Sequence, residues 1–258
     1  MTMFNAKKLT RLGLVAAVAG TMVAAPLVAS AGVTGNIGVF SDYVLRGINE
    51  PGTGTEGQGP VLQGGVDYSA DNGIYLGYWG SNLGYADPSV QPVRGFENDF
   101  YGGWGGKTGN VSYSIGVIQY YYLHVSNSDG LEINPTIGYG PVTFGLKYLT
   151  GDVAWGNQGD IYWTLSYSTS LPADFSFTAL AGYYTYEKSG KYLKDPNPST
   201  GDAASDADFR HLDLTLTHPI GKTGADMSVT YTLPGKDRYG VDQKDSIVFG
   251  VKYGFDII

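Results

Sequence analysis

The sequence predicts an all-β chain, a transmembrane antiparallel up-and-down β-barrel of about twelve strands. Three observations lead there. Apolar and polar residues alternate over run after run, the period of strands with one greasy and one wet face. The links between runs alternate between short turns and long loops, as in bacterial outer-membrane barrels. The amino end reads as an export signal.

That signal comes first in the chain. Lys7, Lys8 and Arg11 form a positive zone, residues 12–28 an apolar zone, and Ala29, Ser30 and Ala31 the small-x-small pattern that signal peptidase cuts. The expected organisation is a secretory signal peptide at 1–31 and one barrel domain at 32–258. The whole chain has a formal charge of -8; the signal holds three basic and no acidic residues, so the mature charge is about -11. An acidic chain is a poor nucleic-acid binder, because neutralising phosphates takes Lys and Arg. With no Cys, the chain has no disulfide framework, thiolate metal site or Cys nucleophile. A mean hydropathy of -0.12 suits a soluble protein at first sight. It equally suits a barrel whose greasy outside and wet inside average out.

Twelve alternating runs follow, at 35–47, 60–69, 73–83, 96–107, 110–123, 129–139, 141–150, 159–169, 174–187, 209–218, 225–233 and 245–255. The last run sets Ile247, Phe249, Val251, Tyr253 and Phe255 on one face and Ser246, Val248, Gly250, Lys252 and Gly254 on the other. Most are about as long as the ~9–11 residues that a tilted strand needs to cross a bilayer. Short links at 70–73, 107–110, 140–141, 171–173 and 219–224 contain the Gly, Pro, Asn or Asp that turns use. Long links fall at 48–59, 84–95, 151–158, 188–208 and 234–244, with one modest link at 125–128. An even strand number puts both termini on the short-turn, periplasmic side. Tyr43, Tyr68, Trp104, Tyr139, Tyr148, Tyr167 and Tyr253 near strand ends suit interfacial girdles, and this favours a membrane barrel over a soluble sandwich.

Four motifs carry a family resemblance: Ser41, Asp42, Tyr43, Arg46 and Gly47; Gln63, Gly64, Gly65, Asp67 and Tyr68; Gly73, Tyr75, Gly77, Trp79, Ser81 and Asn82; and Glu97, Asp99, Tyr101 and Gly103. In these the chain resembles the TorF family of porins over roughly residues 35–125, and in layout beyond. The resemblance implies an outer-membrane barrel with a pore in a Gram-negative bacterium, and no particular solute. The chain departs from the usual terminal aromatic of such barrels by ending Phe255, Asp256, Ile257, Ile258. The barrel-assembly machinery, an expected partner, would then read Phe255 or Ile257.

If Ile37, Val39, Tyr43 and Leu45 face lipid, strand parity turns Asn36, Phe40, Asp42 and Arg46 inward. The same parity turns Gln63, Asp67, Glu97, Asp99, Tyr101, Lys107, Glu132, Lys147, Asp160, Tyr162, Asp213 and Lys252 inward. The expected pore lining is Asp42, Arg46, Asp67, Glu97, Asp99, Tyr101, Glu132, Lys147 and Lys252. Asp42, Glu97, Asp99 and Glu132 clustered near Arg46 would set ion preference, mildly for cations. Equally, such charges cross-link a packed barrel. The inward aromatics Phe40, Tyr120, Tyr122, Tyr162, Tyr184 and Tyr186 either stack flat solutes or fill space.

An enzyme is not expected. His211 lies inward beside Asp213, and His124 and His218 at strand ends, but no Ser stands in G-x-S-x-G. The run at 52–59 is Gly-rich without the Lys-Ser/Thr of a phosphate loop, and Asp195, Asp202, Asp206 and Asp208 lack EF-hand spacing. No cofactor or metal is expected. The expected reading is passive diffusion of small hydrophilic solutes or ions, with outer-membrane lipid and lipopolysaccharide as surroundings. The alternative is a closed structural or adhesive barrel.

Overall fold

A computed structural model describes residues 31–50, 59–87, 89–90 and 95–258. The expected signal segment up to Ser30 and most of the Gly-rich run at 52–59 lie outside the described residues.

Fifteen strands follow in chain order: β1 Gly32–Phe40, β2 Tyr43–Leu45, β3 Ile48–Glu50, β4 Val61–Ser69, β5 Ile74–Leu83, β6 Gly95–Thr108, β7 Val111–Leu123, β8 Gly130–Ile133, β9 Thr136–Tyr139, β10 Val142–Leu149, β11 Ile161–Ser170, β12 Ser176–Thr185, β13 Ala207–Pro219, β14 Ala225–Pro234 and β15 Ser246–Asp256. Each pairs antiparallel with its sequence neighbour in the wall, and β1 pairs with β15 from Thr34↔Asp256 to Phe40↔Gly250. The sheet therefore closes into a barrel and leaves no free edge. The expected run 129–139 is two strands, β8 and β9, parted at Asn134 and Pro135. Both pieces bridge β7 and β10, so together they make one stave and the barrel has twelve. Proline has no N–H to give a ladder, which accounts for the break.

The alternation sorts as its period requires. Ile37, Leu62, Leu76, Ile115, Ile137, Leu165, Ile247 and Phe249 point outward, each 49–59% exposed. They belong to a band of Ile, Leu, Val, Phe and Tyr that runs round every stave. Soluble monomers rarely expose apolar patches beyond a few hundred Å², so a continuous apolar girdle needs lipid around it. The inner face carries the polar partners, among them Gln63, Ser81, Glu97, Ser114, Glu132, Asp213, Thr215 and Thr230, all buried.

One expectation fails, and the failure shapes the lumen. The first run does not continue to residue 47 as wall. β1 stops at Phe40, and β2 and β3 form a separate two-stranded hairpin with the register Tyr43↔Glu50, Val44↔Asn49 and Leu45↔Ile48. Tyr43, expected to face lipid, is 1% exposed and packs inside the barrel, and Leu45 also packs against the buried cluster. Ser41 and Asp42 make the bend. The Ser41 N–H donates to the Phe249 carbonyl (2.8 Å), and Ser41 Oγ accepts the Phe249 N–H (2.9 Å). Asp42 accepts the Tyr43 N–H (3.1 Å) and the Asn49 amide (2.9 Å). Short polar side chains that hydrogen-bond nearby backbone redirect a strand in this way. At the tip, Arg46 (φ 51°) and Gly47 (φ 76°) both take positive φ, the conformation of a two-residue type I′ turn.

The hairpin enters the half of the barrel away from the short turns. There Tyr43 and Val44 join Phe40, Val61, Trp79, Leu83, Ile118, Tyr120, Tyr122 and Val248 in a buried cluster. This is a hydrophobic core inside the lumen.

Candidate functional site in the barrel lumen

The hairpin tip delivers Arg46 to the inner wall formed by β7, β8 and β10–β13. Its guanidinium grips Glu132 of β8 with two bonds, Nη1 to Oε1 (2.8 Å) and Nη2 to Oε2 (2.7 Å). The planar fork of Arg matches a carboxylate in this geometry, and both partners are buried. Nη1 also donates to Tyr184 (2.5 Å) and Nη2 to Tyr120 (3.1 Å). The Tyr120 hydroxyl in turn donates to Glu132 Oε2 (2.8 Å) and accepts from Lys147 Nζ (3.2 Å). The Arg46 guanidinium carbon lies 4.8 Å from the Tyr162 ring centre, within cation–π range.

The turn itself is held as firmly. Arg210 Nε donates to the Arg46 carbonyl (2.9 Å), and a Cβ added at Gly47 would stand 2.7 Å from the His211 Cβ. Only glycine fits there. Below it, the Tyr162 hydroxyl and His211 Nε2 are 2.6 Å apart. His211 Nδ1 lies 3.0 Å from Asp213 Oδ1, which also accepts from Thr232 (2.8 Å).

Glu97, expected near Arg46, takes its hydrogen bonds from two hydroxyls, Tyr43 to Oε2 (2.8 Å) and Tyr122 to Oε1 (2.9 Å). Asp99 is 6% exposed and its Oδ1 is buried without a hydrogen-bond partner. Asp42 stays on the hairpin, half-buried, and serves the bend. Toward the short-turn side the Tyr101 hydroxyl donates to Asp67, and Lys252 stands opposite Gly38 and Asp226. Lys107 is exposed at its strand end. At the other mouth Arg238 pairs with Asp160, donates to the Glu187 carbonyl (2.7 Å) and lies over the Tyr186 ring at 4.6 Å.

Of the nine residues expected to line a pore, the structure thus brings Arg46, Glu132 and Lys147 into one network through Tyr120. It leaves Asp67, Tyr101 and Lys252 in a second, more open zone. Sequence reasoning missed Arg210. A bulge in β13 breaks its alternation: Gly182 faces His211 but Tyr183 faces Phe209, so Arg210 and His211 both turn inward. Phe209, an apolar residue off the alternation of Leu212, Leu214 and Leu216, was the signal. Among the described residues no group of three His, Asp or Glu is placed to hold a metal ion.

The family described as "Bacterial protein of unknown function (Gcw_chp)" matches residues 25–255. Its description does not carry the TorF name. No curated protein matches the chain. Among solved structures, a KdgM porin is similar in fold, with a TM-score of 0.53 and 10% identity over 86% of this chain and 99% of that one. The outer membrane channel DcaP of Acinetobacter baumannii has a TM-score of 0.43 and 11% identity, covering 87% of this chain and 96% of that one. OprD from Pseudomonas aeruginosa has a TM-score of 0.39 and 11% identity, covering 88% and 66%. At scores below 0.5 these last two add nothing to the fold. The fold is that of an outer-membrane porin-like barrel.

Proposed function

We propose, from the premise that this chain belongs to the Gcw_chp family, that it is a porin-like channel of the bacterial outer membrane, passing small hydrophilic solutes or ions by passive diffusion. The observation that carries the reading is the closed twelve-stave barrel with an apolar exterior and a charged interior. Inside it the hairpin tip brings Arg46, Glu132, Tyr120 and Lys147 together. Nothing covalent is asked of these residues. They stand in for part of a solute's hydration shell and bias its charge, as rings of fixed charge do in channels. Acidic lumen residues outnumber basic ones around the tip, which favours cations mildly. Lipid meets the outward Ile, Leu, Val and Phe, and the long loops face lipopolysaccharide. The assembly machinery reads the β15 end, where Phe255 is outward and the Ile257 N–H donates to the Val33 carbonyl (2.8 Å).

A non-enzymatic role fits the histidines. His211 is 0% exposed with Tyr162 at its Nε2, so it offers no base to a substrate. A second reading has one observation in its favour: the tip network is packed as a core, which suits a closed structural barrel. Purified protein in planar lipid bilayers separates the two. Discrete single-channel steps with a reversal potential on the cation side are expected. Silence at every voltage would transfer the case to the closed barrel.

A further inference from the structure

The charges around the hairpin tip do not balance. Asp99 lies within electrostatic reach of Glu97, Glu132, Arg46 and Lys147. Arg46 and Glu132 neutralise one another. Glu97 is held by tyrosine hydroxyls, which carry no charge. With all three carboxylates ionised, Glu97, Asp99 and Glu132 face Arg46 and Lys147, and one negative charge is left for a bound cation or a proton on Asp99 to cancel.

The unmatched atom can be named. Asp99 is buried between Trp79 of β5 and Tyr120 of β7, its cross-strand neighbours. The Tyr120 hydroxyl is already committed to Glu132, Arg46 and Lys147. Asp99 Oδ1 consequently receives no hydrogen bond, and burying a carboxylate oxygen unpaired costs more than almost any other polar defect. Asn134, 6% exposed and on the same inner wall, also keeps a buried oxygen without a donor. The Asp99 carboxylate asks for positive charge; the amide oxygen of Asn134, whose backbone meets β7 at Gly116 rather than at Tyr120, asks only for a donor. One donor of the cluster, Arg46 Nε, lacks an acceptor as well. A hydrated cation at Asp99 supplies charge to the carboxylate, and its water an oxygen to the donor. The absence of any three-ligand acidic or histidine set among the described residues argues for a monovalent ion over a chelated divalent one. Asp208 has the other carboxylate oxygen left unpaired, but it is half-buried and shares its strand face with Arg210.

We infer that Asp99 is a binding site for one hydrated monovalent cation, and that it sets the ion preference of the lumen in place of the four-acid cluster. The second half rests on the channel reading; the site itself does not. Trp79 beside it supplies the probe. Thallous ion, a potassium surrogate that quenches adjacent indoles, is titrated into the detergent-solubilised protein at constant ionic strength. Saturable quenching is expected for the wild type and for Asp208→Asn. It is lost in Trp79→Phe, and lost in Asp99→Asn, or in Asp99→Ser should the amide fail to fold, with barrel folding verified by mobility on unheated gels. Quenching that does not saturate, or that survives both Asp99 variants, overturns the site and leaves water as the occupant. In planar bilayers under a KCl gradient, Asp99→Asn lowers the cation-to-anion permeability ratio at least twofold; an unchanged ratio overturns the role in selectivity. Saturable quenching in a protein that never conducts would sink the channel reading while supporting the site.

Discussion

The Arg46–Glu132 pair is the sharpest test of how the hairpin is held. Replacing Arg46 by Met, or Glu132 by Leu, keeps volume but strands the other charge in a site where both side chains are at most 7% exposed. Removing one partner of a buried pair costs about 3–5 kcal/mol. The tyrosine hydroxyls soften the loss: Glu132 keeps Tyr120, and Arg46 keeps Tyr184 as acceptor. The low end, about 3 kcal/mol for each single variant, is therefore expected. In the double variant no charge is left behind. What remains is the Tyr184 hydroxyl without its guanidinium and the Tyr120 hydroxyl without its carboxylate acceptor, a penalty of about 1–3 kcal/mol in all. Independent sites would sum to about 6 kcal/mol, so a coupling of about 3 kcal/mol or more is predicted. Urea unfolding in micelles, followed by tryptophan emission, measures it. The single variants also loosen the hairpin, and 3 kcal/mol moves its inserted-to-withdrawn ratio by about a hundredfold. Longer high-conductance openings in both singles are the electrical counterpart. A double variant as unstable as the sum of its singles would refute the argument, since the two charges would then be acting separately.

Three further outcomes follow from particular contacts. Gly47→Ala meets both a φ of 76° and the His211 Cβ at 2.7 Å, and should cost about 1–3 kcal/mol, read as a lower thermal midpoint of the compact band on unheated gels. Tyr43→Phe keeps the ring against Trp79 (centroids 6.0 Å apart) but takes one donor from Glu97; a loss of about 1.5–3 kcal/mol in urea unfolding is expected. Asp152 accepts the backbone N–H groups of Gln158 and Lys191 (2.8 and 2.9 Å), tying two outer loops, and these bonds hold its carboxyl below the ordinary aspartate range. A depressed pKa stabilises the folded loop above the unfolded value of about 3.9 and loses that contribution as pH falls through the folded one. Protection of the Lys191 amide from hydrogen exchange should accordingly hold at pH 5, fall below pH 4, and be pH-independent over that window in Asp152→Asn.

The staves were legible because their chemistry is periodic. Ile247, Phe249 and Val251 could not face one side of a sheet while Ser246 and Gly250 faced the other in anything but a strand. What the alternation hid were the places where the chain leaves it. Tyr43 and Leu45 keep the parity of Ile37 and Val39, so the hairpin was read as wall. The bend was written in Ser41 and Asp42, and the turn in Arg46 and Gly47 between short apolar runs. The Arg210 bulge was hidden in the same way, since one added residue reverses the face of everything before it. The partner of Arg46 was legible only as one of the four acids expected near it, Glu132. It is 86 residues away, and parity sends seven carboxylates inward without saying which one the tip will meet.

These departures share a physical logic. Lipid outside the barrel gives apolar side chains no gain over packing, whereas water inside the lumen does. Tyr43 and Val44 gain from burial only by turning inward, where Trp79, Ile118 and Tyr122 receive them. The hairpin pairs its backbone with itself, so among the described residues its two strands add no rung to the wall's ladder. A stave cannot leave without breaking two ladders; the hairpin can leave by giving up side-chain contacts and the Arg210 bond to the Arg46 carbonyl. Arg46 is also held at a φ of 51°, which an L-residue adopts at a cost of roughly 1–2 kcal/mol. That strain is offset only while Glu132 is gripped. The position of the hairpin therefore depends on a few nameable contacts, and conductance and stability should change together when those contacts are cut.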